Sequence, residues 1–166
     1  AYVDRWTHYF ADRFQVGASA FRYVGVSGRN GFHRYLRNFV ERDRSYRDVV
    51  YELISATGDT DRNPAGNFLS RYWNEGNPIQ DTWDGLTDVV TTNFLGFKTE
   101  CVSCHRGRGY LDRINLHLSR RTREDFYRMS AFWSRLAWVT LFSDFQQSRI
   151  RFLLADRATG FYDGTV

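Results

Sequence analysis

Five consecutive residues, Cys101-Val102-Ser103-Cys104-His105, contain both cysteines of the chain and place a histidine directly after the second. The spacing CxxCH is the attachment sequence of c-type haem. Two thiols three positions apart lie on one side of a helical turn, where each can add to one vinyl group of the macrocycle. A histidine following the second thiol is then placed to ligate the iron from the proximal face. At average composition the pattern arises by chance in roughly one chain of this length per thousand. A thioredoxin-like CxxC would close a strand and open a helix. This one runs instead from Lys98-Thr99-Glu100 into the charged, glycine-broken Arg106-Gly107-Arg108-Gly109. A zinc site needs four ligands, usually two pairs, and His117 has no second histidine three to five residues on. The expected cofactor is one covalent haem c, anchored by Cys101 and Cys104 with His105 as the proximal iron ligand. Zinc, a redox dithiol and a structural disulfide are the weaker alternatives.

The sixth coordination position stays open. Met129 is the only methionine, and His/Met ligation raises a reduction potential. It falls in an apolar helical stripe, however, where methionine is normally core filler. His8 lies off the apolar face of the first helix and is the preferred distal candidate. His33 and His117 flank arginine-rich segments and read as solvated side chains, and an externally supplied ligand is the remaining option. Arg106, Arg108, Arg113, Arg120 and Arg121 follow His105 within sixteen positions. Guanidinium–propionate pairing is expected from some of them, with Arg106, Arg108 and Arg120 as the candidates. A solvated basic face is the plainer reading for any single arginine.

Elements must position these residues, and 166 residues suffice for one domain with a real core. Aromatics make up 17%, which suits packing around a flat cofactor or simply an aromatic core. The formal charge of +4 is small, and propionates would lower it by about two units. Nucleic acid is therefore not an expected partner. No run of eighteen apolar residues occurs, so no transmembrane segment is expected. The chain starts at Ala1, which suits a processed product. Haem attachment through CxxCH takes place outside the bacterial cytoplasmic membrane, so an exported protein, periplasmic or extracellular, is expected.

Periodicity predicts a helix over 4–14 with Trp6, Phe10 and Phe14 on one face, and a second over 31–41 with Phe32, Tyr35, Leu36 and Phe39 inward. The glycine-rich stretch 17–31 reads as loop. Ser45 caps a third helix that carries Val49, Val50, Leu53 and Ile54 inward and stops at Gly58. Residues 58–66 read as an Asx-rich turn. Pro64 and Ser70 stand where a calcium loop needs glycine and glutamate. Asp81 begins a fourth helix through Asn93 that ends near Gly96 and delivers the chain to the motif. Thr122 with Asp125 forms a capping box for a fifth, with Phe126, Met129, Trp133 and Leu136 on one face. Residues 149–154 and Phe161-Tyr162 read as short strands.

Asp81-Thr82-Trp83-Asp84, Phe94-Leu95-Gly96, the segment from Glu100 to Gly109, Leu111-Asp112, Ser119-Arg120-Arg121-Thr122-Arg123 and 129–135 form an ordered pattern. With Arg5-Trp6 and Gly28-Arg29-Asn30, they resemble the exported bacterial haem-c domain family of unknown function that accompanies planctomycete-type cytochrome c domains. The resemblance implies a mainly helical haem-c domain, with no settled activity to transfer. Members usually continue into a second domain, so the chain is either a fragment or a shortened relative.

The expected fold is thus mainly α: a helical, c-type cytochrome-like domain over 1–166, with about five helices and a short irregular or β-like C-terminal segment. The expected function is electron transfer as a monohaem c-type cytochrome working with redox partner proteins. The alternatives are a haem-bearing structural subunit that self-assembles into a larger complex or filament, and the haem module of an oxidoreductase. An electron-transfer protein is favoured over an enzyme, because no distal acid/base pair is recognisable.

Overall fold

The computed structural model describes residues 1–17, 23–73, 76–144 and 149–159. The chain is mainly helical, at 57%, with eight helices and a small three-stranded antiparallel sheet among the described residues. It divides into two compact units: 1–75 with 136–157, and 76–135 with 158–166.

In the first unit, helices α1 (Tyr2–Arg13), α2 (Gly25–Glu41), α3 (Tyr46–Ser55) and α4 (Gly66–Ser70) pack with strands β1 (Gly58–Asp59), β2 (Leu136–Asp144) and β3 (Arg149–Asp156). The amphipathic patterns of α1 to α3 decide their inward faces. Phe14, Phe32, Leu36, Val49, Leu53 and Phe68 are all fully buried. The rings of Phe14, Phe32 and Phe68 form a triangle with centroids 6.0 to 6.3 Å apart, within the range for edge and tilted aromatic contact. Helix α2 begins at Gly25, so Gly25 to Asn30 are helical rather than loop. Gly28 explains this, because a Cβ there would lie 2.5 Å from the Asn67 side-chain oxygen. The glycine serves close packing of α2 against α4, not a turn.

The sheet order is β1-β3-β2, with Asp59 opposite Leu153 and Val139 opposite Leu153 on its other side. A bulge between Thr140 and Phe142 interrupts the β2–β3 ladder. The Asx turn expected after Gly58 is present: the Asp61 N–H donates to Asp59 Oδ1 at 3.0 Å. Residues 149–154 are strand as expected, whereas Phe161-Tyr162 lies outside the described residues.

In the second unit, α5 (Ile79–Val90) runs into a π-helical turn (Thr91–Leu95). It is followed by α6 (Glu100–Cys104), α7 (Leu116–Ser119), α8 (Arg123–Ser130) and a 3₁₀ turn (Ala131–Arg135). Gly96, at φ +77°, supplies the left-handed residue that stops the π turn. The capping box at Thr122 is formed. Asp125 N–H donates to Thr122 Oγ1 at 3.3 Å, and Thr122 N–H donates back to Asp125 Oδ2 at 2.9 Å. That backbone donor holds the Asp125 carboxyl below its ordinary range. The fifth predicted helix is shorter than its pattern suggested. It ends at Ser130, Trp133 sits in the 3₁₀ turn, and Leu136 opens β2. Trp133 is still buried, and its indole N–H donates to Thr87 Oγ1 of α5 at 3.2 Å.

Candidate functional site

The candidate site is α6 and the turn that follows it. Three devices hold α6. Its first N–H, on Glu100, donates to Asp88 Oδ1 at 2.9 Å. The hydroxyls of Thr91 and Thr99 meet at 2.9 Å and join the π turn to the residue before α6. Val102, the one buried residue of α6, packs with Leu111, Leu118 and Phe126, and Phe97 closes against this cluster. Anchoring Val102 inward turns its neighbours outward by helical geometry. Cys101 and Cys104 are accordingly exposed, and both are free thiols. Ser103 Oγ donates to the Glu100 carbonyl at 2.7 Å and lies 3.6 Å from Cys104 Sγ.

The turn after α6 is pinned by Gly107. Its N–H donates to the Arg121 carbonyl at 3.0 Å, and its carbonyl accepts from the N–H groups of Tyr110 and Leu111. A Cβ at this position would lie 1.9 Å from the Leu118 carbonyl oxygen, so only glycine fits. Drawing the chain onto the 118–121 segment prevents α6 from continuing. His105 takes an extended conformation, φ −150° and ψ 171°. Its ring lies 4.4 Å from that of Tyr110, with Nδ1 3.1 Å from the Arg106 carbonyl oxygen.

These observations correct one expectation. The motif was expected to form a metal-binding centre, with two thiols and the histidine in one helical CxxCH arrangement. The five residues stand in that order in the sequence, but the helix ends at Cys104 and the histidine is outside it. Among the described residues no group of three or more His, Cys, Asp or Glu side chains could hold a metal ion. Of the four distal candidates, His8 and His33 lie in the first unit and His117 and Met129 in the second. The rings of His8 and His33 lie 6.3 Å apart. His117, in the second unit, packs on Phe97 at 4.8 Å, with its Nε2 3.4 Å from Arg121 Nη2. Met129 is 37% exposed rather than core filler, because α8 buries Phe126 and Ser130 instead.

Arg106, Arg108 and Arg120 are exposed and make no ion pair with a described residue. The sequence reading missed Tyr110, the ring against His105, and named Gly107 only as a residue for close backbone approach or for ending the motif's helix. The signal for Gly107 was present in the Arg-Gly-Arg-Gly spacing, but its partner, Leu118, is contributed by tertiary packing.

A mainly helical protein with a small antiparallel sheet and an exposed thiol pair on a short helix is the class these features define. Residues 1–137 match the model of the family described as protein of unknown function (DUF1549), and the chain belongs to that family. Neither a curated protein nor a solved structure matches the chain.

Proposed function

We propose that Cys101 and Cys104 are the covalent anchors of one haem c and that the chain serves electron transfer. The observation that carries this reading is the pair of free, exposed thiols on α6, three positions apart and backed by a buried Val102. Attachment requires only that each S–H add across a vinyl double bond, sulfur bonding one carbon and hydrogen the other. Exposed thiols on one helical turn meet that requirement. The proposal concerns a macrocycle held by thioether bonds, not a metal ion bound by a cluster of side chains. Such a group would supply one-electron chemistry.

Within this reading Cys101 and Cys104 hold the group, and His105 is the imidazole next to them in the chain. The exposed guanidinium groups of Arg106, Arg108 and Arg120 are available to its propionates. Exposure of the anchors favours electron exchange with partner proteins over chemistry on a sequestered substrate. The reading also places the protein outside the bacterial cytoplasmic membrane, where such attachment occurs. No helix among the described residues is long and apolar enough to cross a membrane.

The test is expression in a bacterial host with an active haem-attachment system, followed by intact mass and thiol alkylation. The expected product is heavier by one haem, has no alkylatable thiol, and loses the added mass in a Cys101→Ser, Cys104→Ser variant. A product of unmodified mass with both thiols alkylated would overturn the proposal. A product two hydrogens lighter and free of haem would assign the pair to dithiol chemistry instead.

A further inference from the structure

Helix α1 has two distinct faces. Thr7, Ala11 and Phe14 are buried, whereas Tyr2, Trp6 and Tyr9, spaced i, i+4 and i+7, are 66%, 41% and 54% exposed. The exposed rings are inclined to one another. Tyr2 and Trp6 lie 6.4 Å apart at 55°, and Trp6 and Tyr9 lie 5.3 Å apart at 76°. Rings at such angles form walls rather than a flat platform. They bound a groove of about 550 Å³ lined by Ala1, Tyr2, Arg5, Trp6 and Tyr9. Its volume falls within the roughly 300–1,000 Å³ of small-molecule sites, and its lining is aromatic with one charged side chain on the face of a single helix.

Its charge selects the ligand. Arg5 is exposed, and its side chain makes no hydrogen bond or ion pair with a described residue. The adjacent carboxylate, Asp4, is already taken by Arg37 Nη1 at 2.8 Å. Among the described residues the Arg5 guanidinium has no ion-pair partner, stands beside three aromatic rings, and shares the groove with no carboxylate. A cation would be repelled by Arg5, whereas a carboxylate gains a charge-assisted pair that a neutral apolar molecule cannot make.

We infer that this groove is a binding site for a planar aromatic carboxylate. Its ring system stacks against Trp6 between the tyrosines, and its carboxylate is held by Arg5 through paired N–H···O bonds. The site belongs to the first unit and the thiol pair to the second.

The test uses the full chain and follows the indole N–H signal of Trp6 by heteronuclear NMR, identified by its loss in Trp6→Phe. Three probes are titrated: 2-naphthoate, 2-naphthalenemethanol and cyclohexanecarboxylate. The Trp6 signal is expected to shift saturably with 2-naphthoate, and about tenfold more weakly with the neutral alcohol and the non-aromatic acid. Arg5→Gln should lower the affinity for 2-naphthoate to that for the alcohol. Both positions are exposed, so the far-ultraviolet circular dichroism should stay unchanged and exclude loss of fold. An unmoved Trp6 signal, equal affinity for acid and alcohol, or an Arg5→Gln variant that binds like the parent would each overturn the inference.

Discussion

Arg151 of β3 grips Asp59 of β1 through both carboxylate oxygens, across 92 residues of sequence. Nε donates to Oδ1 at 2.8 Å and Nη2 to Oδ2. The pair is reinforced one step along, where Thr60 N–H donates to the Phe152 carbonyl at 2.9 Å. The Phe152 N–H returns to Thr60 Oγ1 at 3.0 Å. The family match ends at residue 137, so this contact ties strand β3, beyond the match, to strand β1 within it.

Stability should therefore fall in acid through Asp59. The Arg151 guanidinium holds its carboxyl down at about 2, from an ordinary 3.8. A lowered folded value means that the contribution is complete above the ordinary value and is lost as pH falls toward about 2. Urea unfolding of the parent and of Asp59→Asn should converge below that window and differ above it, by about 1–2 kcal/mol for a partly buried charged pair. A constant difference at all pH values would show that the carboxylate charge is not responsible.

Gly107→Ala should disrupt the turn that ends α6, because its Cβ would meet the Leu118 carbonyl at 1.9 Å. Backbone cannot move aside as a side chain can, so a loss of about 3 kcal/mol or more is expected. Chemical denaturation measures it. Gly109→Ala is the contrasting variant: nothing lies near its Cβ, and the cost comes only from its φ of +88°. That cost should be about 1–2 kcal/mol.

Arg71 is a buried cation. Its Nη2 donates to the Phe14 carbonyl at 2.8 Å, and its guanidinium lies 4.5 Å from the centre of the Phe68 ring. Burial pulls its pKa down to about 10, which leaves it charged at neutral pH. Arg71→Ala removes a buried donor and its packing together and should cost about 3–5 kcal/mol. Arg71→Met keeps much of the volume and should cost measurably less. Equal melting temperatures for the two variants would assign the whole effect to the lost polar contacts of the guanidinium rather than to packing.

Thr122→Ala should cost about 1 kcal/mol by removing the cap of α8. Helix α8 carries Phe126 into the cluster beneath Val102, so the same substitution should quicken hydrogen exchange in α6. Unchanged exchange there would mean that α6 stands independently of α8.

Much of the helical layout was legible because its signals are local. Periodicity in 4–14, 31–41 and 45–58 encodes faces that any helix there must bury, and Thr122 with Asp125 encodes a cap within four residues. The strands were less legible. β1 is two residues long and exists only because β3 pairs with it. The start of β2 read as helix because Phe126, Met129, Trp133 and Leu136 keep a helical spacing past the point where the helix ends. Gly25 to Asn30 read as loop because Gly28 is needed for close approach to Asn67, a reason that lies on another helix.

For the candidate site, the sequence by itself determined the order and spacing of Cys101, Cys104 and His105, and hence which chemistry the thiols are suited to. Only the tertiary structure decided their disposition. Burial of Val102 against Leu111, Leu118 and Phe126 turns the thiols outward. The seat of Gly107 beneath the Leu118 carbonyl ends the helix at Cys104 and sets His105 beside Tyr110. A five-residue motif carries the reactive groups, but residues as far along the chain as Phe126 fix the direction in which each one points.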